Sequence, residues 1–189
     1  QVHMKNEYRI KRNLSVLSGR AGMDRLTIIT PCSRPQNLPA MAESIKPGRS
    51  MFDVIWLIVF DNKECTESVV GNYQRNCALE AITDGWVYFL DDDTIIHPEF
   101  FAELAKVNSR AVAFEQNLGT WVRKAAPSEM RCCHVDMGQV VIRREVIGDI
   151  RFALGVYEAD GKFIQAVYEN NPEAWSFIDK PLCHYNKLR

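Results

Sequence analysis

Apolar residues fall along this chain in short dense runs separated by stretches of helical spacing, an alternation that predicts a layered α/β domain. The run Leu26-Thr27-Ile28-Ile29-Thr30 reads as a first strand, stopped by Pro31 before a strand-end loop over 32–37. Leu38, Met41, Ala42 and Ile45 then recur at helical spacing, and Lys46-Pro47-Gly48 closes that helix. Residues 54–60 are almost continuously apolar, the pattern of a strand covered on both faces of a parallel sheet. A helix over 73–82, with Cys77, Ala78, Ala81 and Ile82 facing inward, leads to a strand over 86–90. Pro98 opens a third helix over 99–107, since proline is well tolerated in a first helical turn.

The second half is less regular. Strands are expected over 111–114 and 139–142, joined by a long polar loop carrying Gly119, Trp121, Arg123, Lys124 and Pro127. Connections of that length are more often functional than structural. A helix over 160–168 and a strand over 175–182 complete the pattern before a basic tail. With 189 residues and 47% hydrophobic content, one core is expected, over residues 25–189. Residues 1–24, polar and basic without a signal-peptide core, read as an extension or linker.

Composition narrows the partners. A net charge of −1 argues against a nucleic-acid surface. The longest apolar run covers seven residues, against the roughly 20 that cross a bilayer. Six cysteines, at 32, 65, 77, 132, 133 and 183, show no CxxC pair, and Cys132-Cys133 is an odd unit for a disulfide framework. Reduced thiols and a soluble, cytoplasmic protein, or a domain of a larger or anchored one, are the expectation.

The strongest chemical signal is the strand Trp86-Val87-Tyr88-Phe89-Leu90 running into Asp91-Asp92-Asp93. Three adjacent carboxylates repel one another, so they belong at a strand end where a divalent cation can neutralise them. Hard oxygen ligands suit Mg²⁺ or Mn²⁺, which share coordination with substrate phosphates. In an extended strand Asp91 and Asp93 point one way and Asp92 the other, unless the chain has turned. A solvated acidic turn is the bland alternative. The DxDGT nucleophile loop of haloacid-dehalogenase-like phosphatases is a poor match, because the glycine is missing and two strands precede the acids.

Four pieces in order carry a broader resemblance: Ile29-Thr30-Pro31-Cys32-Ser33-Arg34-Pro35, Trp56-Leu57-Ile58-Val59-Phe60-Asp61, Gln74-Arg75-Asn76-Cys77-Ala78-Leu79 and Val87-Tyr88-Phe89-Leu90-Asp91-Asp92-Asp93. Together they resemble a GT-A nucleotide-sugar glycosyltransferase, close in pattern to family 2 enzymes and to the β-glucuronyltransferases. The resemblance implies a Rossmann-like three-layer α/β sandwich with a mixed, mostly parallel central sheet. It further implies a metal-dependent, inverting hexosyl- or related transferase, with a nucleoside diphosphate sugar as donor and a glycan or other hydroxyl as acceptor. UDP is favoured by that resemblance alone.

Carried over by position, the resemblance puts Thr30, Pro31 and Arg34 around the nucleotide, with Asp61 on base or ribose and Arg75 near base or diphosphate. Asp92 goes to the ribose and Asp93 to Mn²⁺ or Mg²⁺, leaving Asp91 in a supporting place. Asp136 is assigned to a sugar hydroxyl, and the late His184 to metal or diphosphate, with Lys187 or Arg189 serving phosphate. The proton acceptor is Asp160, with Glu158 in reserve; a helix N-terminus keeps either ionised. Plain N-capping is the alternative for this pair. Trp121 is a core plug or a sugar platform, His134 a packed strand residue or a site residue, and His97 a surface residue at a helix entry. A sugar nucleotidyltransferase is the nearest rival, though residues 30–37 lack the glycines its loop needs. A non-catalytic nucleotide-sugar-binding module is the rival from another class.

Overall fold

The structure is a computed structural model that describes residues 11–12, 22–60 and 71–189. Its strands are β1 (Lys11–Arg12), β2 (Arg25–Cys32), β3 (Asp53–Phe60), β4 (Trp86–Phe89), β5 (Ile95–Ile96), β6 (Ala111–Asn117), β7 (Val122–Arg123), β8 (Val140–Arg143) and β9 (Trp175–His184). The helices are α1 (Leu38–Ile45), α2 (Asn72–Glu80), α3 (Phe100–Leu104), α4 (Arg144–Ile147) and α5 (Ala159–Asn170). Among the described residues the nine strands join one sheet in the order β1-β3-β2-β4-β8-β6-β9-β5, with β7 paired to β6.

The longest ladders are parallel: β2 runs beside β3 and β4, and β6 beside β9. β8 enters antiparallel between β4 and β6, making the sheet mixed. Side-chain alternation supplies both faces of it. In β4, Trp86 and Tyr88 pack with Leu26, Ile28, Met41, Phe100 and Phe101 on one side, against α1 and α3. Val87 and Phe89 pack with Ile29, Leu79, Phe163 and Ile164 on the other, against α2 and α5. The result is an α/β/α sandwich.

Several elements differ from the sequence pattern in extent. Pro31 does not stop β2, whose register against β3 continues to Cys32. α3 is five residues long, shorter than its pattern suggests. Part of the expected 1–24 extension is structured, since Lys11–Arg12 pairs antiparallel with β3.

From β2 the chain passes through α1 to β3 on one side, then returns through α2 to β4 on the other. Such a reversal leaves a crevice outside the carboxyl ends of the strands, here β2 and β4. Gly71 sets α2 against it: φ is +79°, and an added Cβ would come within 2.6 Å of the Pro31 Cβ. A Gly71→Ala variant is expected to lose about 1–3 kcal/mol from left-handed strain and this contact. The check is a urea midpoint that falls with unchanged slope.

Candidate functional site

The three acids lie just past β4, where the chain has already turned: Thr94 N donates to the Asp91 carbonyl at 3.0 Å. Asp92 is buried and stitches this loop to the one after β2. Its Oδ2 accepts from Ser33 N at 2.7 Å, Ser33 Oγ at 3.0 Å and Arg34 N at 2.6 Å. Its Oδ1 takes Arg34 Nη1 at 2.6 Å. Asp92 is thus held by four donors from one loop.

The Arg34 guanidinium also reaches Asp93 Oδ2 at 3.0 Å, and Arg189 Nε meets the same oxygen at 3.0 Å. Burial, then repulsion from Asp91, pushes the Asp93 pKa up, against the pull of both arginines. Asp93 therefore sits between two guanidinium groups in a place where burial disfavours its charge.

Asp91 is paired differently. Arg75, with 1% of its side chain exposed, places Nη2 2.6 Å from Asp91 and Nη1 2.8 Å from Asp160. Burial works against this guanidinium's charge, but Asp91 and Asp160 together outweigh it and raise the pKa. Its neighbours in α2 serve the same wall. Asn76 exchanges two 2.9 Å hydrogen bonds with the Phe152 backbone, and Asn72 Nδ2 donates to the Ala153 and Val156 carbonyls. Phe152 stacks on Phe163 of α5 at 4.1 Å between ring centres. Through these contacts α2 fixes the segment that leads into α5 and hence Asp160. Burial raises Asp160 against the Arg75 charge, with Asp91 and Asp136 adding, to about 7.

The opposite wall comes from the turn Met137–Gln139. Asp136 caps it, accepting from Gly138 N at 2.9 Å, and takes Gln116 Nε2 at 2.9 Å. Burial, then Asp91, raises its pKa. Arg123 stands 3.5 Å from Asp136 and over the Tyr185 ring at 5.5 Å.

These walls enclose a cavity of about 550 Å³ lined by Pro31, Arg34, Asp91, Asp92, Asp93, Asp136, Glu158 and Asp160, among others. The sequence therefore named most of its carboxylates. Arg75 is turned into the protein, behind the wall, because two carboxylates hold it there. Thr30 is fully buried, its hydroxyl accepting from Trp56 Nε1 at 2.9 Å, so it supports β2 without meeting the cavity. His184 and Lys187 line a neighbouring groove with Trp121. The His184 ring faces His97 at 5.6 Å, and burial, then His97 and Lys187, lowers its pKa. Asp61 lies outside the described residues.

Trp121 is 56% exposed, so it plugs no core. His134 is exposed and pairs with Glu129 at 3.0 Å. Ser33 belongs to the loop over 30–34 that the resemblance places at the nucleotide, and it lines the cavity. Sequence reasoning missed Arg123 and Tyr185 as parts of the site.

No protein-family profile matches the chain, and no curated protein matches it. Solved structures do. The chain is similar to residues 1–349 of TarS from S. aureus, with TM-score 0.55, 16% identity, and 85% of this chain and 60% of that one covered. It is similar to glucosyl-3-phosphoglycerate synthase from Mycobacterium tuberculosis, solved with Mn²⁺, UDP and glucosyl-3-phosphoglycerate, with TM-score 0.55, 17% identity, and 85% and 71% covered. A mannosyltransferase from Pyrobaculum calidifontis, solved with GDP-Man and Mn²⁺, aligns with TM-score 0.57 and 14% identity over 96% of this chain and 61% of its own. The fold is GT-A. Identities this low establish the fold alone, and the chain spans about three fifths of the TarS fragment.

Among the described residues, no three His, Cys, Asp or Glu side chains converge as a ready metal cage. The donor set still fits Mn²⁺ or Mg²⁺, which take one or two carboxylates and complete their shells with water and phosphate. Asp93 and Asp91 are carboxylates of that kind on the cavity wall, whereas His184 lines the other groove. Among the described residues no helix is long and apolar enough to cross a membrane.

Proposed function

We propose that this chain transfers a sugar from a nucleoside diphosphate donor to a hydroxyl acceptor with inversion. The observation that carries the reading is the juxtaposition, in one GT-A cavity, of the Asp91-Asp92-Asp93 cluster with Asp160 at the start of α5. Asp93 would hold the divalent cation, which when bound stabilises charge on the departing diphosphate. Arg34 and Arg189, already within 3.0 Å of Asp93, are placed to swing onto phosphate oxygens. Pro31, Asp91 and the Asp92-clamped loop line the donor side.

Asp160 is the proton acceptor. A carboxylate with a pKa of about 7 has the basicity that general-base catalysis at neutral pH favours. Arg75 grips its Oδ1 and so orients it for the acceptor hydroxyl. Glu158, two residues earlier at the exposed N-cap of α5, lacks this anchor and is the reserve. Asp136 offers a carboxylate to a sugar hydroxyl.

The test is thermal shift with UDP-glucose and GDP-mannose, each with and without Mn²⁺, followed by donor turnover. A matching donor at 100 times its Kd adds about 2.7 kcal/mol of stability. That gain is expected to need the metal and to vanish in Asp93→Ala. Stabilisation without hydrolysis or transfer for any acceptor would leave a binding module; no stabilisation by either donor class would overturn the reading.

A further inference from the structure

Cys132 and Cys133 have no part in the chemistry above, yet they stand at its edge. Their Sγ atoms lie 3.5 Å apart, and Cys133, with φ +68°, is the exposed thiol among the described cysteines, where Cys32 and Cys183 are buried. Cys133 lines the cavity beside Asp136, Glu158 and Asp160. The pair's backbone is pressed against the first turn of α5. A Cβ on Gly161 would come 2.8 Å from Cys133 N and 2.9 Å from Cys132 Cα, and Cys132 N donates to Gln165 Oε1 at 2.9 Å.

We propose that this vicinal dithiol is a modification site, where a peroxide forms a Cys132–Cys133 disulfide that displaces the cavity wall carrying Asp160. The Cys133 thiolate attacks one peroxide oxygen, the O–O bond breaks, and hydroxide leaves to become water. The Cys132 sulfur then attacks the resulting sulfenic acid, the S–O bond breaks, and a second water leaves with the thiol proton. Two thiols have lost two electrons and two protons, and the peroxide has become two waters. Cys133 is the more exposed of the two and so meets the peroxide first, and Cys132 lies 3.5 Å away to resolve it.

Closing the ring shortens the sulfur separation from 3.5 Å to about 2.05 Å. The turn has to contract to do so. Because Gly161 leaves no room between this turn and α5, the contraction is passed to the helix start, where Asp160 is held. A small thiol reverses the change by exchange.

The experiment treats the full chain with graded hydrogen peroxide, alkylates the remaining thiols and digests with trypsin. Cleavage after Arg131 and Arg143 isolates residues 132–143, which contain these two cysteines and no other. The expected product is this peptide about 2 Da lighter than its reduced form, unalkylated, and restored by a phosphine. Cys132→Ser is expected to stop at a sulfenic acid that dimedone captures, and Cys133→Ser to give neither product. Amide hydrogen exchange over 158–165 is expected to quicken in oxidised wild type and in neither variant. Both thiols remaining alkylatable while other cysteines oxidise would overturn the site; a disulfide with unchanged exchange would overturn its link to Asp160. Neither readout needs a sugar donor, so the outcome is independent of glycosyl transfer.

Discussion

An Arg75→Met variant is expected to unfold with a free energy about 3 kcal/mol below wild type at pH 7, because two carboxylates lose the buried cation between them. Methionine keeps the stem packed beside Phe152, over which the guanidinium sits at 5.4 Å, so the loss reports charge and not a cavity. The lower end of the range for broken buried pairs applies because Asp91 and Asp160 retain 32% and 23% side-chain exposure and water reaches them. Lowering the pH neutralises the stranded Asp160, so the deficit narrows toward pH 5. Urea denaturation at both pH values is the measurement. A loss under about 1 kcal/mol at pH 7 would show that Arg75 is not what holds these acids.

Asp160→Asn is expected to lower kcat by about 10²–10⁴-fold while leaving donor-induced stabilisation nearly intact. In wild type the active base is the ionised form, so kcat rises with pH through about 7 and then levels. Stability runs the other way. The folded-state pKa lies above that of the unfolded chain, so this group's contribution is full below about 4 and is lost as pH climbs toward 7. The Asn variant lacks that slope. A variant with wild-type kcat, or one whose stability keeps the same fall between pH 4 and 7, would remove Asp160 from the role.

The first half of the fold was legible because its strands are buried on both faces and its helices are short and well punctuated. α1 spans Leu38–Ile45 as its spacing says, and β4 ends at Phe89, with Leu90 alone before the acids. α2 shows what periodicity misses. Its inner face carries Asn72 and Arg75 as well as Ala78 and Leu79, while Ala81 is exposed and Cys77 half-buried. A search for apolar positions rotates that helix, since nothing in the local pattern says it packs against carboxylates from β4 and α5. His184 shows the same limit at the sheet's other end. Its place after an apolar strand was readable, but pairing with Ile95 turns it toward His97 and the second groove. Asp92 was recognised as a site acid, yet its clamp depends on Ser33 and Arg34, brought near only by the β2–β4 ladder.

The polar contacts that shape the cavity join distant parts of the chain: Ser33 to Asp92, Arg75 to Asp160 and Asp93 to Arg189 are 59, 85 and 96 positions apart. Each requires a long loop to close before it contributes anything. Until β2 and β4 lie side by side, the three acids are adjacent like charges without partners, and they oppose collapse of the segment that carries them. The cavity is therefore expected to assemble late, after the hydrophobic strands have found their register. Changes to its charged residues should accelerate unfolding while leaving the refolding rate nearly as it was.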